Sequence, residues 1–167
     1  GEGFGIPIYV VSPLRLEGIS LDRAIPFLEQ GDCDWFSVSS MPMAGATGPV
    51  YPVGAFIQGI SECLGPYTIL REAYPDIPAG FSIGAYHFDM RHGNIVIGSP
   101  EQTLLDLFGI ALNKFYHVGP YAVRSFRTMA RKVEVQGQVE KAASGAVGVL
   151  TGPEDFIHSG LLSIDEV

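Results

Sequence analysis

Apolar positions fall into two rhythms along this chain. Five short runs, rich in β-branched and aromatic residues, lie at 6–12 (IPIYVVS), 35–40 (WFSVSS), 80–84 (GFSIG), 115–119 (FYHVG) and 146–151 (AVGVLT). Each ends in or beside Gly, Pro, Ser or Thr, as buried strands do. Between them the apolar spacing turns helical. The pattern predicts helices over about 20–30, 52–74, 100–114 and 135–144. Strand and helix therefore alternate, with strand starts about 30 to 45 residues apart, the signature of βα units around a parallel sheet.

The helix ends are legible. Ser20 is placed to cap the first helix and Gly31 to close it, with Pro26 marking a kink or a late start. Ser99-Pro100-Glu101-Gln102 reads as a start with Ser99 as cap, Pro100 in the first turn and Gln102 completing a capping box. Leu104, Leu105, Phe108, Ala111 and Leu112 then form one apolar stripe. Gly145 reads as the stop of the last helix. Five βα units suit either an open doubly wound sheet or more than half of a closed eight-stranded barrel. The chain, 1–167, is expected to be one domain. No Gly-rich dinucleotide fingerprint follows the first strand.

In parallel α/β folds the working residues lie just beyond the C-terminal ends of the strands. The segment after the second strand, Met41-Pro42-Met43-Ala44-Gly45-Ala46-Thr47-Gly48-Pro49, is small and Gly-rich. It reads as a loop that lets a ligand approach the backbone, or as a tight strand-to-helix turn. The segment after the third strand carries Tyr86, His87, Phe88, Asp89 and Arg91. Aromatic faces with a carboxylate suit a cationic or quaternary ammonium ligand, whereas an Asp89–Arg91 pair would order the loop instead. His87 and His92 lack a third ligand at metal-site spacing, so no metal is expected. Glu62 stands inside an apolar helix, where an unpaired carboxylate is costly; it faces a cavity or caps a neighbouring loop. Cys63 beside it reads as a small core residue.

Composition narrows the partners. Ten Lys and Arg against 18 Asp and Glu leave a net charge of −8. That disfavours a broad nucleic-acid or anionic-membrane surface. Arg124, Arg127, Arg131 and Lys132 nevertheless put four of the ten basic residues into nine positions, either a docking patch for an acidic partner or a solvated face. The most apolar stretch, 53–70, holds Gln58, Glu62 and Pro66 and reads as a buried helix rather than a membrane span. Two cysteines, Cys33 and Cys63, fit a reducing, cytoplasmic setting.

The same segments carry a resemblance. The run Met41 to Pro49, with Val53-Gly54-Ala55 and Glu62 behind it, is similar to the trimethylamine and quaternary-amine methyltransferases, which transfer methyl groups to corrinoid proteins. The order continues through Asp89-Met90-Arg91, Gly93, Gly98-Ser99-Pro100-Glu101, Gln136, Glu140-Lys141-Ala142 and Ser163-Ile164-Asp165-Glu166, so it covers nearly the whole chain. The MAGATGP run is fairly specific; the Ser-Pro-Glu start gains force only from its place in the order. Tyr51-Pro52 and Pro66 depart from the pattern by interrupting the long helix, and the stretch 124–132 has no counterpart in it.

The resemblance implies a TIM-type (β/α)8 barrel in a protein well over twice this length. This chain would be its C-terminal five units, without the N-terminal strands and the C-terminal tail. It implies that a methyl group leaves a methylated amine for the cobalt of a corrinoid carried by a partner protein, with no cofactor bound directly. Trimethylamine members carry pyrrolysine near the third strand's end, between about residues 82 and 88. Only standard residues stand there, which favours a quaternary, betaine-like substrate. The substrate-facing residues are then expected to be Tyr86, His87, Phe88, Asp89, Arg91, Glu62, Met43 and Thr47, with no catalytic residue assigned. The expected partners are the corrinoid protein, the small amine and further copies of the chain. The competing expectation is an incomplete barrel acting as a non-catalytic oligomeric or small-molecule-binding module, because open strand edges invite pairing.

Overall fold

The structure is a computed structural model and describes residues 3–118, 122–123, 126–152 and 155–156. It is an α/β fold. Strands β1 (Gly5–Tyr9), β2 (Trp35–Ser39) and β4 (Ala79–Ser82) form a parallel sheet in the order β1-β2-β4, with Ile8 opposite Val38 and Val38 opposite Phe81. Helix α1 (Ile19–Gln30) joins β1 to β2. A short strand β3 (Met43–Ala44) and helix α2 (Pro52–Ala73) lead from β2 to β4. Three of the five expected strands are therefore present within three residues of their predicted bounds, the first ending at Tyr9 rather than at residue 12.

Strand alternation sets the two faces of this sheet. Ile6, Ile8, Phe36, Val38 and Phe81 point to the helices and pack with Ala24, Leu28, Ala55, Phe56 and Cys63 in the main core. Gly5, Pro7, Tyr9, Trp35, Ser37, Ser39, Gly80 and Ser82 lie on the opposite face. Gly5 is needed there: a Cβ would sit 1.9 Å from the Trp35 ring.

The segments expected as loops after the second and third strands are partly strands themselves. β3 pairs in parallel with β5 (Tyr86–Asp89), and β5 turns back through residues 90–93 to pair antiparallel with β6 (Asn94–Val96). The turn is closed by Gly93 N–H donating to the Asp89 carbonyl (2.8 Å). Both segments therefore stand at the same end of the main sheet, as its common strand direction requires.

The second half departs from the pattern. Residues 115–119 were expected to be a strand, but helix α3 (Pro100–Phe115) runs through Phe115 and ends on Tyr116. Residues 146–151 were also expected to be a strand, with Gly145 as a helix stop. Residues 146–150 instead continue helix α4 (Val135–Leu150), and Thr151 follows as its C-cap. Gly145 is a notch: a Cβ there would meet the Phe126 ring at 2.2 Å. Among the described residues, the strands that follow α3 are the two-residue β7 (Ala122–Val123) and β8 (Asp155–Phe156), paired in parallel. Smaller corrections follow. Gly18, not Ser20, precedes α1; the Ser20 hydroxyl instead accepts the Tyr9 N–H (2.9 Å). Pro66 does not interrupt α2. On α3, Leu104, Phe108 and Ala111 are exposed, and Gln102, Gly109, Ile110 and Asn113 form the buried face. Arg124, Glu154 and the 163–166 motif lie outside the described residues. No helix among the described residues is long and apolar enough to cross a membrane.

Candidate functional site

Two polar networks meet at the C-terminal ends of the parallel strands. The first centres on Glu62, one turn after Gln58 on α2 and only 1 % exposed. Its Oε2 accepts from the hydroxyls of Ser12 (2.8 Å) and Ser40 (2.6 Å), which follow β1 and β2. Its Oε1 accepts from the Leu14 N–H (3.0 Å) and from Gln58 Nε2 (2.8 Å). A buried carboxylate needs such donors, and here they tie two strand ends and the β1–α1 connection to one helix. Gln58 Nε2 also donates to the Thr47 carbonyl (2.9 Å), while the Thr47 hydroxyl accepts the Met43 N–H (3.0 Å). The Gly-rich segment is thus pinned to α2 at one end and to β5 at the other. Beside Glu62 runs a groove of about 480 Å³ with walls of Val10, Leu14, Leu16, Pro66 and Ile69.

The second network underlies β5. Tyr86 is buried, and the Arg127 guanidinium stands over its ring, 5.4 Å from the centroid, with an N–H donated to the phenol oxygen at 3.4 Å. Arg127 also pairs with Asp106 on α3. Burial opposes the Arg127 charge, but Tyr86 and the Asp106 carboxylate outweigh it and raise the guanidinium above its ordinary value. The expected basic patch is thereby corrected: Arg127 is interior at 3 % exposure, while Arg131 and Lys132 are exposed. An arginine in a polar stretch reads as solvated, and its partners lie 21 and 41 residues away in sequence, so no local pattern marks it.

The remaining predicted site residues sit on the 86–96 hairpin. His87 and Phe88 are half-buried. Asp89 Oδ1 accepts the backbone N–H of Arg91 (2.8 Å) and of His92 (3.4 Å), and Oδ2 contacts His92 Nδ1 at 2.7 Å. Asp89 therefore meets Arg91 through its backbone N–H; the Arg91 residue is exposed. The His92 hydrogen bond, followed by that of the Arg91 N–H, holds the Asp89 carboxyl below its ordinary range. The structure brings Tyr86, His87, Met43 and Thr47 together through the β3–β5 pairing, and joins Glu62 to them through Gln58.

Gln102 escaped the sequence reading as more than a cap partner. Ser99 does cap α3, accepting the Gln102 N–H at 3.1 Å. The Gln102 side chain, however, turns to β5, not back to the cap. Two capping-box positions with a Gln at the second were visible; that the amide would read another strand was not. Among the described residues, no group of three or more His, Cys, Asp or Glu could hold a metal ion. Cys33 and Cys63 are reduced thiols, and burial, then Asp34 and Asp32, push the Cys33 thiol up, away from nucleophilic character.

Comparison with known proteins supplies the family. The pattern of the family described as trimethylamine methyltransferase (MTTB) matches residues 6–163. The chain belongs to the trimethylamine methyltransferase family. It is 26 % identical over 128 residues to trimethylamine methyltransferase MttB of Methanosarcina barkeri, covering 77 % of this chain and 26 % of that protein. It is 26 % identical over 149 residues to the glycine betaine methyltransferase of Desulfitobacterium hafniense, covering 89 % of this chain and 30 % of that protein. It is 26 % identical over 131 residues to the L-carnitine:corrinoid methyltransferase of Eubacterium limosum, covering 78 % and 26 %. The chain thus spans under a third of the length of these relatives.

Proposed function

We propose that this chain is part of a methyltransferase that moves a methyl group from a quaternary amine to the cobalt of a corrinoid carried by a separate protein. The observation that carries the reading is the family match across residues 6–163 together with relatives named for trimethylamine, glycine betaine and L-carnitine:corrinoid methyl transfer. The reaction is an in-line displacement. The cobalt(I) electron pair forms the new bond to the methyl carbon, the carbon–nitrogen bond breaks, and its electrons leave with the nitrogen. A quaternary ammonium departs as a neutral tertiary amine and needs no activation. Trimethylamine does need it, and residues 82–88 are all standard ones. What the protein must do is hold the ammonium in line and exclude water.

Quaternary nitrogen has no N–H. It is recognised by aromatic or apolar walls and the field of a carboxylate, not by acceptor lone pairs. Glu62 and Asp89 have their oxygens satisfied by other donors, so they suit a cation that asks only for charge. Around the amine we place His87, Phe88 and Asp89, with Arg91, Met43 and Thr47 at the margins. Tyr86 and Glu62 hold the wall behind them. Tyr86 has one ring face turned to Arg127, so its contribution is support.

The architecture we assign is the C-terminal part of a (β/α)8 barrel. Parallel sheets are covered on both faces, and the face bearing Tyr9, Ser37 and Ser39 carries no helix from the described residues. In a barrel that face is the interior. Reduced thiols at Cys33 and Cys63 suit the cytoplasm. The test is methyl transfer to a reduced corrinoid by the full-length protein, with glycine betaine, carnitine and trimethylamine offered in turn. Transfer from a quaternary amine and none from trimethylamine is the expected result. Transfer from trimethylamine alone would overturn the substrate class.

A further inference from the structure

The 85–89 segment is held from beneath by groups whose role there no sequence motif indicated. Gln102 reads the backbone on both sides of Tyr86. Its Oε1 accepts the His87 N–H (3.1 Å), and its Nε2 donates to the Ala85 carbonyl (3.1 Å), so the side-chain amide acts as one more peptide group against this strand. The same Nε2 donates to Asp106 Oδ1 (3.0 Å). Asp106 Oδ2 takes the Arg127 guanidinium, which covers the Tyr86 ring. The Tyr86 side chain and the backbone groups that flank it, the Ala85 carbonyl and the His87 N–H, are thus fixed by one chain of contacts, with Asp106 as its joint.

Arg127 is itself held from α4. Glu140 Oε2 accepts the Thr128 hydroxyl (2.6 Å) and the Met129 N–H (2.8 Å), and Gln136 Nε2 steadies Oε1 (2.8 Å). Gly98, at φ 88°, leaves the space: a Cβ would lie 2.9 Å from Glu140 Oε2 and 3.1 Å from the Arg127 carbonyl. Thr128 is fully buried and Gln102 is 1 % exposed. A buried guanidinium whose charge is met, among the described residues, by the Asp106 carboxylate and the Tyr86 ring is costly to rearrange, so the segment is anchored on its inner side.

We infer that Gln102 and Arg127 are positioning residues for the amine-facing strand, acting through Asp106. This rests on the functional reading above, which places His87, Phe88 and Asp89 beside the ammonium. Neither residue touches the reacting atoms. Their loss shifts the wall against which the ammonium is held, and a displaced wall binds the ammonium less well in ground and transition state alike, which raises KM without lowering kcat.

The experiment uses the full-length protein with glycine betaine as donor and cob(I)alamin as acceptor. Gln102→Leu removes both backbone contacts. Arg127→Lys keeps the charge facing Asp106 and loses the planar group on Tyr86. Thermal unfolding first selects the variants that fold. Each folded variant is expected to raise KM for the amine about tenfold or more, with kcat and KM for cob(I)alamin nearly unchanged. The double variant is expected to show less than the product of the two effects, because both act through Asp106. Unchanged KM for the amine in either folded variant, or multiplicative effects in the double, would overturn the inference. Exchange of the His87 backbone amide, read without turnover, is expected to quicken in Gln102→Leu; unchanged exchange overturns the anchoring. A wild-type protein that transfers no methyl group while its His87 amide behaves as expected points instead to failure of the functional reading.

Discussion

Four neutral donors converge on Glu62, and their placement decides what its loss does. Ser40 is buried at 2 % exposure and Ser12 and Gln58 are half-buried, whereas Leu14 is exposed. Glu62→Leu therefore strands the Ser40 donor fully and the Ser12 and Gln58 donors in part, and unsatisfied buried groups cost roughly 1–3 kcal/mol each. A fall in unfolding free energy of about 2–5 kcal/mol is expected from urea titration. Glu62→Gln, which keeps the shape but sets an NH2 against donors, should fall in between. Asp89 gives a pH-dependent counterpart. Its folded pKa lies below the ordinary 3.8 because of the His92 hydrogen bond and the Arg91 N–H. A depressed carboxylate contributes stability that is full above the unfolded value and lost as pH falls through the folded one. NMR titration of Asp89 should show a midpoint below 3.8, with the His92 contact persisting to that lower pH; a midpoint at or above the ordinary value would remove the contact from the account. Asp89→Asn keeps the turn acceptor and removes the charge. It should weaken betaine binding in calorimetry, and unchanged affinity would leave Asp89 as a turn residue alone. Glu62 was legible because a carboxylate in an apolar helix must be paired. Arg127 was not, since its partners come from α3 and β5 and nothing in its own stretch marks it as interior.

Elements divide along the same line between local and long-range causes. The strands β1, β2 and β4 and the helices α1 and α2 were readable, because alternation, apolar runs and a closing Gly31 act within a few residues. The run AVGVLT carries the same β-branched signal, yet most of it is the last part of α4. Packing overrode propensity there: Ser144, Gly145 and Gly148 make a buried small-residue face, and the Phe126 ring occupies the notch at Gly145. Gly145→Ala tests this directly. As a helix-interior change it gains about 1 kcal/mol. The forced displacement of the Phe126 ring costs roughly 1–3 kcal/mol. Net destabilisation of α4 is therefore expected in chemical unfolding, and a stabilised variant would mean that Gly145 is a helix weakness with no packing role.

At the scale of the molecule, the three-stranded parallel sheet leaves β1 and β4 each paired, among the described residues, on one side only. Parallel strands with one open edge and one uncovered face are rarely stable alone, and apolar residues such as Tyr9 and Trp35 on that face stand 55 % and 37 % exposed. The barrel proposed above would cover them with neighbouring strands of a longer protein, in keeping with a chain that spans under a third of its relatives' length. Hydrogen exchange separates this from self-association. In the full-length protein the backbone amides of β1 and β4 that do not bond β2 should be protected while the protein remains a monomer by light scattering. In the isolated 167-residue chain the same amides should exchange quickly at low concentration and gain protection only as the chain oligomerises. Protection that depends on oligomer formation even at full length would give these edges to a second copy, and the barrel would have to close between subunits or not at all.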